Sequence, residues 1–90
     1  MEAVSKWQWR KSLAMAGEGD VVQVDQILFG TIRDHCWELG IRTGSMVECL
    51  ENHDRWVLVR LGDGEEKCLT RDYAWFISVK APPNGDGRVV

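Results

Sequence analysis

No run of this chain approaches the roughly 18 to 20 uninterrupted apolar residues that a membrane-crossing helix needs, so direct membrane insertion is not expected. Met1 to Lys11 also lacks the apolar centre of a secretory signal, and the expected location is cytoplasmic. A disulfide framework is missing as well. Three cysteines, Cys36, Cys49 and Cys68, cannot all pair within one chain, and reduced thiols are the default. Basic charge is not in excess: 11 Lys and Arg stand against 14 Asp and Glu, for a formal net charge of −3. Arg55, Arg60 and Arg71 are each offset by neighbours such as Asp54, Glu65, Glu66 and Asp72. A phosphate backbone would find no electrostatic footprint here, so no nucleic-acid partner is expected. A nucleic-acid-binding small barrel stays only as a minor alternative, carried by tryptophans that could stack on bases.

Catalytic signatures are equally scarce. Cys36 beside His35 is a neighbour in sequence only, because nucleophilic catalysis needs a base in reach that is itself oriented by a third group. Gly62-Asp63-Gly64 lacks the lysine and the helix of a phosphate loop and reads as a hairpin turn. No enzyme is expected and no catalytic residue is assigned. For metals, neither a C-x-x-C nor an H-x-x-x-H unit occurs. Any centre would have to be assembled in space from His35, Glu38, Cys49 or His53, a mixture of imidazole and carboxylate that ferrous iron accepts. Cys36 and Cys49 occupy apolar-face positions, where cysteine ordinarily acts as a small hydrophobe.

What the sequence does contain is enough for one domain. Its 90 residues are 44% hydrophobic and 28% charged, and short β-rich runs recur with glycine-bearing turns between them, the pattern of an all-β barrel or sandwich. The most informative stretch runs from Thr31 to Leu50. Thr31 is expected to cap a short helix over about 31–39, with Asp34 near its positive end. Ile32, Cys36 and Leu39 share one face of that helix and should be buried. Gly40 supplies the left-handed stop, Ile41 folds back against the helix, and Thr43-Gly44-Ser45 turns into a strand from Met46 to Leu50.

Around that stretch the other elements fall into place. Met1 to Ser12 is an extension in which Trp7 and Trp9 would share one side of an extended segment, either covering a domain edge or anchoring a partner. A strand is expected over Val21 to Ile27, with Val22 and Val24 inward. Glu51 to Asp54 should form a polar turn, Trp56 to Leu61 a strand, and Glu65 to Leu69 its return. Thr70 caps a helical turn over Arg71 to Ala74, and Trp75 to Val79 supplies the last strand. Residues 81–90, rich in proline, glycine and charge, suit a disordered tail.

The helix ending in Leu39-Gly40-Ile41, followed by Arg42, a turn residue, Gly44 and a strand entering on Val47, resembles the FeoA family of bacterial ferrous-iron transport. The last strand behind an Arg- and Ala-bearing helical turn resembles it too. Likeness spans about Leu13 to Val79, with Thr43 where the family commonly has proline and a bulkier Trp37. The resemblance implies a mostly β, SH3-like small barrel of about five antiparallel strands over residues 13–80, related to the C-terminal domain of iron-dependent repressors of the DtxR type. It implies a non-enzymatic accessory protein whose partner is the cytosolic GTPase region of a FeoB-type transporter. Trp37, Leu39, Gly40, Ile41, Arg42 and Gly44 are the candidate contact residues. No cofactor follows firmly, Fe²⁺ or another divalent transition metal being the candidate ion, and a homo-oligomer stays open. The alternative is a stand-alone, metal-responsive regulatory module of the repressor type.

Overall fold

A computed structural model describes residues 11–82, and these form one antiparallel sheet of six strands with two short helices, a small SH3-like barrel. In chain order the elements are β1 (Lys11–Ser12), a 3-10 turn (Leu13–Met15), β2 (Val21–Ile27), α1 (Gly30–Leu39), β3 (Met46–Asn52), β4 (Trp56–Leu61), β5 (Glu66–Thr70), α2 (Arg71–Ala74) and β6 (Ile77–Lys80). The strands lie in the order β1-β6-β2-β3-β4-β5.

Two bulges explain why the strand sequences alternate only in part. In β2, Val22 and Val24 face the core, but the register against β6 shifts between Val24 and Gln26, so Ile27 is buried and Gln26 exposed. An extra residue reverses the period-two phase at that point. The register of β3 against β4 shifts in the same way between Cys49 and Glu51. Val47 and Cys49 are buried before the shift, and Asn52 turns inward after it. Its Nδ2 donates to the carbonyls of Ala14 (2.9 Å) and Ala16 (2.8 Å), tying the 3-10 turn to the sheet. Arg71 Nη2 donates to the same Ala14 carbonyl at 3.2 Å.

The core is entirely apolar among the described residues. Leu13, Val22, Val24, Ile41, Val47, Val57, Val59, Leu69, Ile77 and Val79 are each at most 1% exposed. Burying each such side chain contributes about 1.5–3 kcal/mol. Ile32 and Cys36 close it from α1, and Leu39 packs against it from the margin.

Several expectations need correcting. There are six strands rather than about five, because Lys11 and Ser12, placed in the leading extension, pair with Val79 and Ser78 as β1. Helix α1 is not capped by Thr31. It begins at Gly30 behind Phe29, whose side chain makes no capping bond and whose φ is 67°. β3 runs on to Asn52, so the hairpin turn is confined to 53–55, where His53 N–H donates to the Trp56 carbonyl at 2.8 Å. β5 begins at Glu66 and ends at Thr70, one residue later at each end than expected. Trp75 and Phe76 precede β6 instead of belonging to it, since Phe76 N–H closes the α2 turn onto the Tyr73 carbonyl at 3.0 Å. Thr70 does cap α2, accepting from Tyr73 N–H at 3.4 Å. Ala81 and Pro82 follow β6 without regular structure. The readings of Trp7 and Trp9, and of the tail beyond Pro82, lie outside the described residues.

Candidate partner-binding surface

The end of α1 and the turn behind it form a rigid, partly apolar prominence. Gly40 has φ 91° and ψ 14°, a left-handed conformation that a residue with a Cβ adopts only with strain. Its N–H donates to the Trp37 carbonyl (3.0 Å) and Ile41 N–H to the Cys36 carbonyl (2.8 Å), the paired bonds of a Schellman stop. Ile41 and Cys36, both 0% exposed, supply the apolar contact that accompanies it. A four-residue turn follows. Ser45 N–H donates to the Arg42 carbonyl and Ser45 Oγ accepts from Arg42 N–H, each at 2.9 Å. Gly44, at φ 93°, sits where a type II turn demands a positive angle, while Thr43 occupies the preceding position at negative φ. A proline would therefore be favourable at that position without being required. Gly44 N–H donates to the Val24 carbonyl and Val24 N–H to the Ser45 carbonyl, both at 2.8 Å, so β2 holds the turn in place.

Of the six contact candidates, the structure divides buried from presented. Ile41 is core, Leu39 is half-buried, and Gly40 and Gly44 set the backbone. Trp37 is 53% exposed, and the Arg42 guanidinium lies 4.2 Å from the centre of its ring. Among the described residues, no carboxylate lies within ion-pair distance of Arg42.

The metal candidates do not converge. His35 lies edge-on to Tyr73, with ring centres 5.1 Å apart, and Glu38 is an exposed residue on the same helix. Cys49 is inside the barrel, its thiol 3.8 Å from the Ala16 carbonyl. Burial, with added repulsion from Asp20 and Glu18, pushes that thiol up, away from the thiolate that binds metals. His53 Nε2 is 2.8 Å from Glu51 Oε1 and its ring stacks on Trp56 at 4.0 Å. Among the described residues, no three His, Cys, Asp or Glu side chains are gathered as a divalent ion requires. These residues do not fit an Fe²⁺ centre.

Two surface features had no sequence signal. Leu28, Phe29 and Phe76 are 40%, 63% and 38% exposed, the two rings meeting edge-on at 5.1 Å. A hollow of about 170 Å³ opens on the outer face of β2, β3 and β4 beside Met46. Neither could be read from spacing, since one depends on a strained backbone and the other on Gly62 having no side chain. Among the described residues, no helix is long and apolar enough to cross a membrane.

The FeoA domain family matches residues 11–81. A crystal structure of an iron uptake regulatory protein (FeoA) superposes with a TM-score of 0.74 at 24% identity, over 80% of this chain and 97% of that one. A FeoA-like protein from Clostridium acetobutylicum gives 0.71 at 20% identity, over 80% and 86%. A manganese-dependent transcriptional repressor in complex with manganese gives 0.76 at 20% identity, over 81% of this chain but only 37% of the repressor. Likeness at these identities is likeness of fold. No curated protein matches.

Proposed function

Since the matched domain spans most of its length, the chain belongs to the FeoA family, and from that premise we propose that it is a non-enzymatic accessory protein of ferrous-iron transport that docks on the cytosolic GTPase region of a FeoB-type transporter. The observation that carries this reading is the Trp37–Arg42 pair on its fixed turn. A half-exposed tryptophan under an unpaired arginine combines the two residue types most often found at the energetic centre of protein interfaces. Preorganisation matters because the Schellman stop and the bonds to Val24 mean that little order remains to be imposed on binding. Among the described residues the core is apolar and the titratable groups are scattered, an arrangement in keeping with a regulatory role.

Calorimetric titration of the transporter's cytosolic GTPase region is the test. Trp37→Ala is expected to weaken binding by about tenfold or more, and Arg42→Ala by less, with the thermal midpoint of the domain unchanged. Equal affinity for wild type and both variants sinks the assignment of this surface. The manganese repressor likeness favours a second reading, a stand-alone metal-responsive regulatory module. It prevails if the transporter region is not retained while Fe²⁺, Mn²⁺ or Zn²⁺ shifts the His35 or His53 NMR signals.

A further inference from the structure

The hollow beside Met46 is built by sheet register. Val21 pairs with Glu48 and Glu48 with Arg60, a row across the outer face, and Gln23 pairs with Met46 in the next row. Where that second row would continue past Leu61, the chain has Gly62, and the missing side chain leaves the space open. Val21, 45% exposed, and Met46 flank it. At about 170 Å³ it is smaller than the roughly 300–1,000 Å³ of small-molecule sites, and it suits one aliphatic side chain.

Charge around the hollow is already settled. Arg60 on its rim donates to Glu48 at 3.2 Å and Glu66 at 3.4 Å. Lys67 and Lys80 have Glu65 and Asp25. Among the described residues, Arg33, Arg42, Arg55 and Arg71 have no carboxylate within ion-pair distance, and of these Arg42 is the one a single turn from Met46. With its Cζ 4.2 Å from the centre of the Trp37 ring and no carboxylate beside it, the guanidinium has donors for a planar, bidentate acceptor. Leu61 lines the hollow, and its Cδ1 lies 3.4 Å from where a Cβ on Gly40, two residues before Arg42, would stand.

We infer that the hollow and Arg42 together take an extended acidic segment of a partner protein, one aliphatic side chain filling the hollow and a carboxylate a few residues away meeting Arg42. The identity of that partner as the transporter rests on the reading above; the chemistry of the contact does not.

Gly62→Leu plugs the hollow from within. A Cβ at Gly62 meets nothing within 4 Å and its backbone is not left-handed, so the fold should tolerate it. Val21→Glu, which places a charge at the hollow, is the second variant if the first lowers the thermal midpoint. The probes are the transporter's cytosolic GTPase region and two blocked pentapeptides, a leucine between glutamates and the same leucine between lysines. The glutamate peptide should shift the Arg42, Met46 and Gly62 amide signals in NMR, the lysine peptide should not, and Gly62→Leu and Arg42→Glu should each weaken transporter binding about tenfold. Glutamate-selective shifts without transporter binding support the contact and remove the transporter. Transporter binding undiminished by both variants overturns the contact and leaves the transporter. Silence toward both probes overturns both. Self-association abolished by Gly62→Leu assigns the hollow to a second copy and overturns the acidic segment.

Discussion

Helix α1 has a positive φ at each end, 91° at Gly40 and 67° at Phe29, and the two ends meet that demand in opposite ways. At the exit the residue has no Cβ, two of the orphan carbonyls, those of Cys36 and Trp37, find donors, and Ile41 seals the turn beneath the core. At the entrance a bulky residue holds φ 67° and ψ 129°, with no side-chain cap, at a cost of about 1–3 kcal/mol. Leu28 N–H to the Phe76 carbonyl (2.9 Å), Arg33 N–H to the Phe29 carbonyl (3.0 Å) and the edge-on Phe29–Phe76 contact hold it there. The exit is fixed by its own residues, whereas the entrance is fixed by Phe76, brought from just ahead of β6. One end is a local solution and the other a tertiary one.

That contrast can be broken at its strongest point by Ile41→Ala, which empties a fully buried site and should cost about 2–5 kcal/mol in urea denaturation. A loss below about 1 kcal/mol would mean that the exit is not anchored in the core. Second in size is an alkaline effect on the helix's buried face. Burial pushes the Cys36 thiol up to about 11 from its usual 9.0. Above pH 9 the unfolded chain gives up this proton while the folded one keeps it, so the folded state binds more protons and stability falls as pH rises. Across that window the loss is about 2–3 kcal/mol relative to Cys36→Ala, read as the difference between the two proteins' denaturation midpoints from pH 8 to 11. Parallel pH profiles would contradict it.

Gly40→Ala comes next. The left-handed backbone costs an alanine about 1–2 kcal/mol, and its Cβ would press on Leu61 at 3.4 Å. The smallest effect is the most diagnostic. Phe29→Gly should be more stable than Phe29→Ala by about 1 kcal/mol, the reverse of the usual order, because only glycine relieves the positive φ. The usual order at this site would show that the entrance is unstrained.

The same contrast decides what could be read in advance. β2 and β4 were legible to the residue because β-branched runs dominate them, and the Gly40 stop was legible because glycine, a preceding apolar face and a following isoleucine agree. Thr31 looked like a cap on composition alone, and nothing in the letters Leu28-Phe29-Gly30 signals that a phenylalanine will take a left-handed angle. Asn52 reads as turn because a polar residue after Glu51 suggests one, and only the shift in register against β4 turns it inward. At the candidate surface, Trp37 and Arg42 were named, but their stacking depends on how the turn swings Arg42 back over the helix. The hollow was out of reach because its shape belongs to three strands at once.

The register shifts in β2 and β3 make strand length part of the folding code. A one-residue insertion between Val22 and Val24, or between Val47 and Cys49, would turn one of each buried pair to the outer face, whereas removing Asp25 or Leu50 would straighten the bulge and leave Gln26 opposite Ser78 and Asn52 opposite Val57. Point changes on the outer faces of these strands can accumulate freely, whereas single-residue insertions or deletions away from the bulges cannot. Descendants of this chain are therefore free to vary in surface chemistry and held to a fixed spacing from Val22 to Val24 and from Val47 to Cys49.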